Sequence, residues 1–316
     1  VAAADPALIA LCGPTASGKS GLALELAAAL HGEIVSCDSL QVYRGLDIGS
    51  AKPTAAERDL VRHHLVDVVD PDQPFSAADY ARLAREALRD IRSRGRLPLV
   101  VGGTGLYLQA LLHGLFDGPA RDAELRARLE RIADRRGDAF LHRWLARRDP
   151  EAATRIGAND RVRVVRAFEV LRLTGRAIGD QQRAGSSPLR GFDVLVLGLA
   201  PEREALRQAI QARTHRMLEA GLIGEVRGLL GRFSPELRPL QAIGYREAVA
   251  CLRGDLPEAG LEAAIVTATA RYAKRQMTWF RHQTRPEWCA GPVEAGRRAR
   301  AFLGAKSLTI SGESLE

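Results

Sequence analysis

Gly13-Pro14-Thr15-Ala16-Ser17-Gly18-Lys19-Ser20 carries the spacing of a phosphate-cradling loop: a glycine, four residues, then Gly-Lys-Ser. The glycines let the backbone curl so that successive N–H groups point into one concavity, and a following helix adds the positive end of its dipole there. Lys19 supplies a mobile positive charge for a terminal phosphate. The Ser20 hydroxyl suits a magnesium ligand. An apolar run, 8–12, precedes the loop and an alanine- and leucine-rich segment, 21–31, follows it, which is the strand-before, helix-after setting that the motif requires. The chain is expected to bind a di- or triphosphate.

Further residues that could do chemistry lie at the ends of other apolar runs. Residues 33–37 read as a buried strand that ends at Asp38, and ligands of open parallel α/β sheets meet the carboxyl ends of strands. Asp38 there suits a metal ligand, a general base or a helix N-cap. Residues 97–101 read as another buried strand, running into Gly102-Gly103-Thr104. An ATPase would place a magnesium-holding aspartate at that strand end, so its absence speaks against ordinary nucleotide hydrolysis. The adjacent pair His63-His64 points to opposite sides of its carrier, and packing or hydrogen bonding is expected there in place of a shared metal. Cys12, Cys37, Cys251 and Cys289 show no close-spaced pair, which excludes a zinc-finger or disulfide framework. Cys12 and Cys37 read as small buried fillers.

The elements that hold these residues follow from periodicity. A helix over 20–30 presents Leu22, Leu26 and Leu30 on one stripe, and a helix over 76–94 is capped by Ser76 and stopped by Gly95. Residues 52–74 read as irregular. From Arg121 the pattern becomes helical and arginine-rich: 17 arginines, no lysine and ten acidic residues between 121 and 190 give +7 of the chain's +8. That excess suits a polyanion such as nucleic acid, or a merely solvated helical face. Gly185-Ser186-Ser187-Pro188 reads as a linker, after which 192–199 returns to a buried strand. The expected organisation is α/β: a parallel-sheet core over 1–120 and 188–316 with C-terminal helices, and an inserted helical domain over 121–187. The last helical segment, 267–282, interleaves Arg271, Lys274, Arg275 and Arg281 with Tyr272, Trp279 and Phe280. Phosphate contacts with base stacking and an amphipathic core helix are equally good readings of it. No apolar run is long enough to span a bilayer and the first residues show no secretory leader, so a cytoplasmic protein is expected.

Taken in order, the phosphate loop, Ser36-Cys37-Asp38-Ser39-Leu40-Gln41-Val42-Tyr43, Gly102 to Tyr107, Asn159-Asp160, Ala242-Ile243-Gly244-Tyr245-Arg246 and Lys274 to Arg281 resemble the bacterial tRNA dimethylallyltransferase family, over nearly the whole chain to about residue 282. The resemblance implies a P-loop NTPase-like core. It implies transfer of a dimethylallyl group from dimethylallyl diphosphate to N6 of adenosine 37 in the anticodon loop, with Mg2+ as cofactor. Residues 13–20 would then seat a leaving diphosphate. Arg213 matches a family arginine on that diphosphate, and Thr15 a threonine that donates to the oxygen bridging the prenyl group. Asp38 matches the general base, and Thr104 a threonine beside the target base. Ser39, Leu40, Gln41, Val162, Arg163, Val164, Val165, Arg166, Gln241, Ala242, Ile243, Gly244, Tyr245 and Arg246 match positions that contact tRNA. Lys274, Arg275 and Arg281 join them as basic residues of the last helix. The segment Arg161-Val162-Arg163 departs from the Pro-Gln-Arg of many relatives, which loosens the contacts there. A monomer is expected.

Three other readings share parts of this pattern. An ATP-dependent kinase would use the loop for phosphate transfer, and an adenylate isopentenyltransferase would accept free AMP, ADP or ATP. The arginine-rich segment and the basic-aromatic helix exceed what a mononucleotide needs. A tRNA-binding protein without catalysis would leave Lys19, Asp38 and Thr104 together unexplained.

Overall fold

Six strands, all parallel, form one sheet in the order β3-β2-β4-β1-β5-β6. The computed structural model describes residues 5–115, 118–119, 122–180 and 187–312. The expected start of the insertion at Arg121, and Gly185 and Ser186 of the expected linker, lie outside them.

Strands β1 (Ala7–Cys12) and β4 (Leu97–Gly102) sit side by side at the centre, with Ile9 opposite Leu99 and Cys12 opposite Gly102. β5 (Asp193–Leu199) flanks β1 on its other side. Their apolar runs are buried on both faces, as a parallel sheet covered by helices requires. β2 (Gly32–Ser36) lies outside β4, and β3 (His63–His64) and β6 (Glu287–Cys289) form the two edges. Both edge strands are too short and too polar to stand out as apolar runs. β3 and helix α2 (Ala55–Leu60) replace the irregular stretch expected over 52–74; α2 begins in a capping box between Thr54 and Glu57.

Helix α1 (Lys19–Ala29) follows the phosphate loop and buries Leu22 and Leu26. α3 (Ala77–Ser93) starts at Ser76, whose side chain accepts the Asp79 N–H. α4 (Gly105–His113) leaves the end of β4. The chain divides into two compact units, residues 1–112 with 189–316, and residues 113–188. The second unit holds α5 (Ala123–Arg136), α6 (Asp138–Ala146), α7 (Pro150–Arg155) and α8 (Arg161–Thr174) around a core that includes Leu129, Leu141, Leu145, Val164, Val165 and Phe168. In the first unit, α9 (Arg203–Glu219), α10 (Leu222–Leu230), α11 (Tyr245–Arg253) and α12 (Glu258–Trp279) follow β5. They supply most of a second core cluster beside that of the sheet.

Candidate active site

The loop after β1 presents a cradle suited to an anion. Gly18 takes the left-handed conformation at φ 84° and leaves the first turn of α1 with no side-chain cap, so its N–H groups face the loop. Ser17 is 5% exposed, and its buried hydroxyl has no partner among the described residues. A buried unpartnered hydroxyl in such a loop suits a phosphate oxygen as its partner. Lys19 is buried as well, and its Nζ donates to the Pro14 carbonyl at 3.0 Å. Burial and the positive charge of Arg213 pull its ammonium down to about 8, while Asp38 acts the other way. Arg213, on α9, is likewise held below its ordinary value by burial, opposed by Asp38. Burial thus weighs against the charge of both cations while Asp38 favours it, an imbalance that an anion would relieve.

On the opposite side, Asp38 follows β2. Its Oδ1 accepts the N–H of Leu40 at 2.8 Å and of Gln41 at 3.4 Å. It therefore caps a turn, and the helix N-cap reading does not hold, because no helix begins there. Thr104 Oγ1 accepts the Ser39 N–H at 3.1 Å, and the Thr104 N–H donates to the Cys37 carbonyl. The end of β4 is thus tied to the residue beside Asp38. Burial raises the thiols of Cys12 and Cys37 to about 12, so both remain neutral fillers beneath the site, as expected.

Three residues of α12 enter this site, and their roles escaped the sequence reading. Burial, and after it the charge of Asp38, push the Tyr272 phenol up to about 12. Gln276, 6% exposed, accepts the Thr15 N–H with Oε1 and donates to the Gly103 carbonyl with Nε2, both at 2.9 Å. Trp279 lies flush against Gly105, where an added Cβ would fall 2.1 Å from its ring. The missed signal is a polar residue on a buried stripe: Leu261, Ile265, Ala273 and Gln276 are the buried positions of this helix.

Other expected site residues divide by burial. Arg271, Lys274, Arg275 and Arg281 are exposed. Arg275 stands over the Tyr272 ring at 5.5 Å. Phe280 is fully buried and Trp279 is committed to Gly105, so base stacking by these two is replaced by packing. Ser39 and Leu40 are half-buried, and the Gln41 amide is used internally, donating to the Ala51 carbonyl at 3.0 Å. Gln241 and Arg246 are exposed, and Ala242 and Ile243 are half-buried. Gly244 is buried, with its N–H on Glu247. Tyr245 is 0% exposed and donates its hydroxyl to Glu225 at 2.8 Å, so its expected RNA contact is corrected to an internal one. Val164 and Val165 are corrected in the same way: each is 1% exposed and belongs to the core of its unit. Val162 and Arg163 are exposed, and Arg166 is half-buried against Glu169. Several arginines of this unit are neutralised within it. Arg126 and Arg166 pair with the buried Glu169, and Arg161 with Asp134 and Asp138. His63 and His64 take separate partners, Val61 O and Glu33, as expected for neighbours on a strand.

A phosphate cradle at the head of a central parallel strand, with charged side chains converging from neighbouring strand ends and helices, defines a P-loop α/β enzyme core. Within that class the chain belongs to the IPP transferase family, whose model matches residues 41–283. It is 49% identical over 287 residues to a tRNA dimethylallyltransferase of Koribacter versatilis, covering 91% of this chain and 94% of that one. Among solved structures it is similar to a full-length tRNA isopentenylpyrophosphate transferase of Bacillus halodurans, at TM-score 0.70 and 38% identity, covering 98% and 99% of the two chains. A eukaryotic dimethylallyltransferase acting on tRNA matches at TM-score 0.71 and 30% identity over 87% of this chain and 70% of that one.

Proposed function

We propose that this chain transfers a dimethylallyl group from dimethylallyl diphosphate to N6 of adenosine 37 in the anticodon loop of tRNA. The observation that carries the reading is the phosphate loop at the end of β1, with Lys19 buried in it, and the segment of Asp38 tied through Thr104 to the end of the neighbouring strand β4. The cations and loop N–H groups stabilise negative charge as it builds on the departing diphosphate. One bond forms, from N6 to the allylic carbon, and one breaks, from that carbon to the diphosphate oxygen. The bonding pair leaves on the diphosphate.

The amine is a weak nucleophile, so Asp38 takes its proton as the new bond forms. Thr15 donates to the bridging oxygen, and Thr104 lies beside the base. The target nucleotide must leave its stack to reach these groups. The exposed basic face of α12, with Ser39, Leu40, Gln41, Gln241, Arg246 and, in the second unit, Val162 and Arg163, supplies the RNA contacts.

Ser20 is exposed at the first turn of α1 and offers one hard oxygen, which would hold a magnesium ion there. When bound, that ion would add Lewis-acid stabilisation of the leaving group. No helix of the described residues is long and apolar enough to cross a membrane, and the reading is of a monomer acting in the cytoplasm.

Incubation with dimethylallyl diphosphate and unmodified tRNA, followed by mass analysis of the nucleosides, tests the reading. Alkylated adenosine at the anticodon loop is expected. Phosphate transfer from ATP, or alkylation of free AMP in preference to tRNA, would replace it with one of the rival activities.

A further inference from the structure

We propose that Gln276 is a positioning residue that sets the separation between the leaving-group side and the acceptor side of the reaction. The inference rests on the prenyl-transfer reading above and adds a residue to it. Thr15 belongs to the phosphate loop and Gly103 to the end of β4, two segments that emerge next to one another because Cys12 and Gly102 are paired in the sheet. The buried amide of Gln276 bridges them with a 2.9 Å hydrogen bond on each side. Its orientation is fixed from both ends, since only the oxygen can receive the Thr15 N–H and only the nitrogen can donate to the Gly103 carbonyl.

From Gly103 the connection continues along the chain to Thr104, then through its hydroxyl to the Ser39 N–H, and so to Asp38. The loop that would hold the diphosphate and the carboxylate that would take the proton are thus joined by one amide and one hydroxyl. The fit leaves no slack: a Cβ on Gly103 would fall 2.2 Å from Gln276 Nε2. One turn further on, Trp279 sits on bare Gly105 and fixes the rotation of α12. An error of about 1 Å between reacting groups costs on the order of a hundredfold in rate, so the clasp is expected to act on turnover more than on binding.

Two variants separate positioning from bulk packing. Gln276→Met keeps the volume and removes both hydrogen bonds; kcat is expected to fall about ten- to a hundredfold, with the Kd for inorganic diphosphate and the melting temperature near native. Gln276→Glu keeps the acceptor for Thr15, but when ionised it sets a second oxygen against the Gly103 carbonyl. Once protonated, it donates there again. Burial raises the carboxyl's pKa, so the kcat of this variant relative to the native enzyme is expected to rise as pH falls from about 8 to 6. The Tyr272 phenol, Lys19, Arg213 and Asp38 are the same in both proteins, and the ratio cancels their contributions to first order. A native kcat in Gln276→Met, or a flat ratio for Gln276→Glu with the protein folded, overturns the inference while the transfer reading stands. A native enzyme that makes no alkylated tRNA removes both together. Should Gln276→Met fail to fold, the pH ratio of Gln276→Glu alone decides.

Discussion

Lys19 donates its ammonium to the Pro14 carbonyl at 3.0 Å, so the loop's lysine is folded back on its own backbone. Burial and Arg213 hold it at about 8, against an ordinary 10.5. Between those values the unfolded chain binds a proton that the folded chain does not. The stability of the unliganded protein therefore rises with pH across that window as far as Lys19 is concerned. A diphosphate beside the ammonium reverses the depression. Binding is expected to take up a proton over the same window and to weaken as pH climbs above about 8. Titration calorimetry with inorganic diphosphate in two buffers of different ionisation enthalpy reads that proton, and the uptake should shrink in Lys19→Met. Equal uptake in the variant would assign the proton to another group.

Asp38 does two things that one substitution can separate. Its Oδ1 holds the turn at Leu40 and Gln41, and its charge favours the protonated forms of Lys19 and Arg213. Asn at this position keeps an acceptor for the turn and loses the proton acceptor of the reaction. Turnover in Asp38→Asn should drop by roughly two to four orders of magnitude, with diphosphate binding retained and the melting temperature close to native. Asp38→Ala should show the same loss of turnover and a lower melting temperature. Unchanged turnover in both would take Asp38 out of the chemistry.

Tyr245 and Glu225 form a structural pair in the second core cluster of the first unit. The Glu225 carboxylate accepts the N–H groups of Asp47, Ile48 and Gly49 as well as the Tyr245 hydroxyl. Tyr245→Phe removes one of these four bonds and should cost about 1 kcal/mol, whereas Glu225→Ala strands several donors and should cost about 3 kcal/mol. Denaturant unfolding measures both. The KM for tRNA should be unmoved in Tyr245→Phe, and a raised KM would return the tyrosine to the RNA-binding surface.

The sheet's central strands, the phosphate loop and the placement of Asp38 were legible because their signals are local: an apolar run, a fixed spacing, a strand end. Edge strands β3 and β6 were not, since two or three residues carry no pattern of their own. Gln276 was visible as a residue but not as a contact. Its partners lie 261 and 173 positions away, and only the sheet order brings them together. Val164, Val165 and Tyr245 show the opposite error. A matched motif marks a segment, while burial decides which of its side chains face solvent.

Charge counting misled in a similar way, and salt dependence should expose where the RNA contacts lie. Of the arginines in the second unit, Arg126, Arg161 and Arg166 are held by carboxylates of the same unit. Arg271 and Lys274 on α12, and Arg281 in the turn that follows it, are exposed and form no ion pair among the described residues. A basic residue that touches a phosphate releases counterions, and its removal flattens the slope of log affinity against log salt by roughly 0.7 to 0.9. Lys274→Ala and Arg281→Ala should each flatten the slope by about that amount, with turnover preserved at saturating tRNA. Arg166→Ala should leave the slope as it is and lower the melting temperature, because the buried Glu169 loses one of its two arginines. A slope that responds to Arg166 and ignores α12 would move the electrostatic footprint into the second unit.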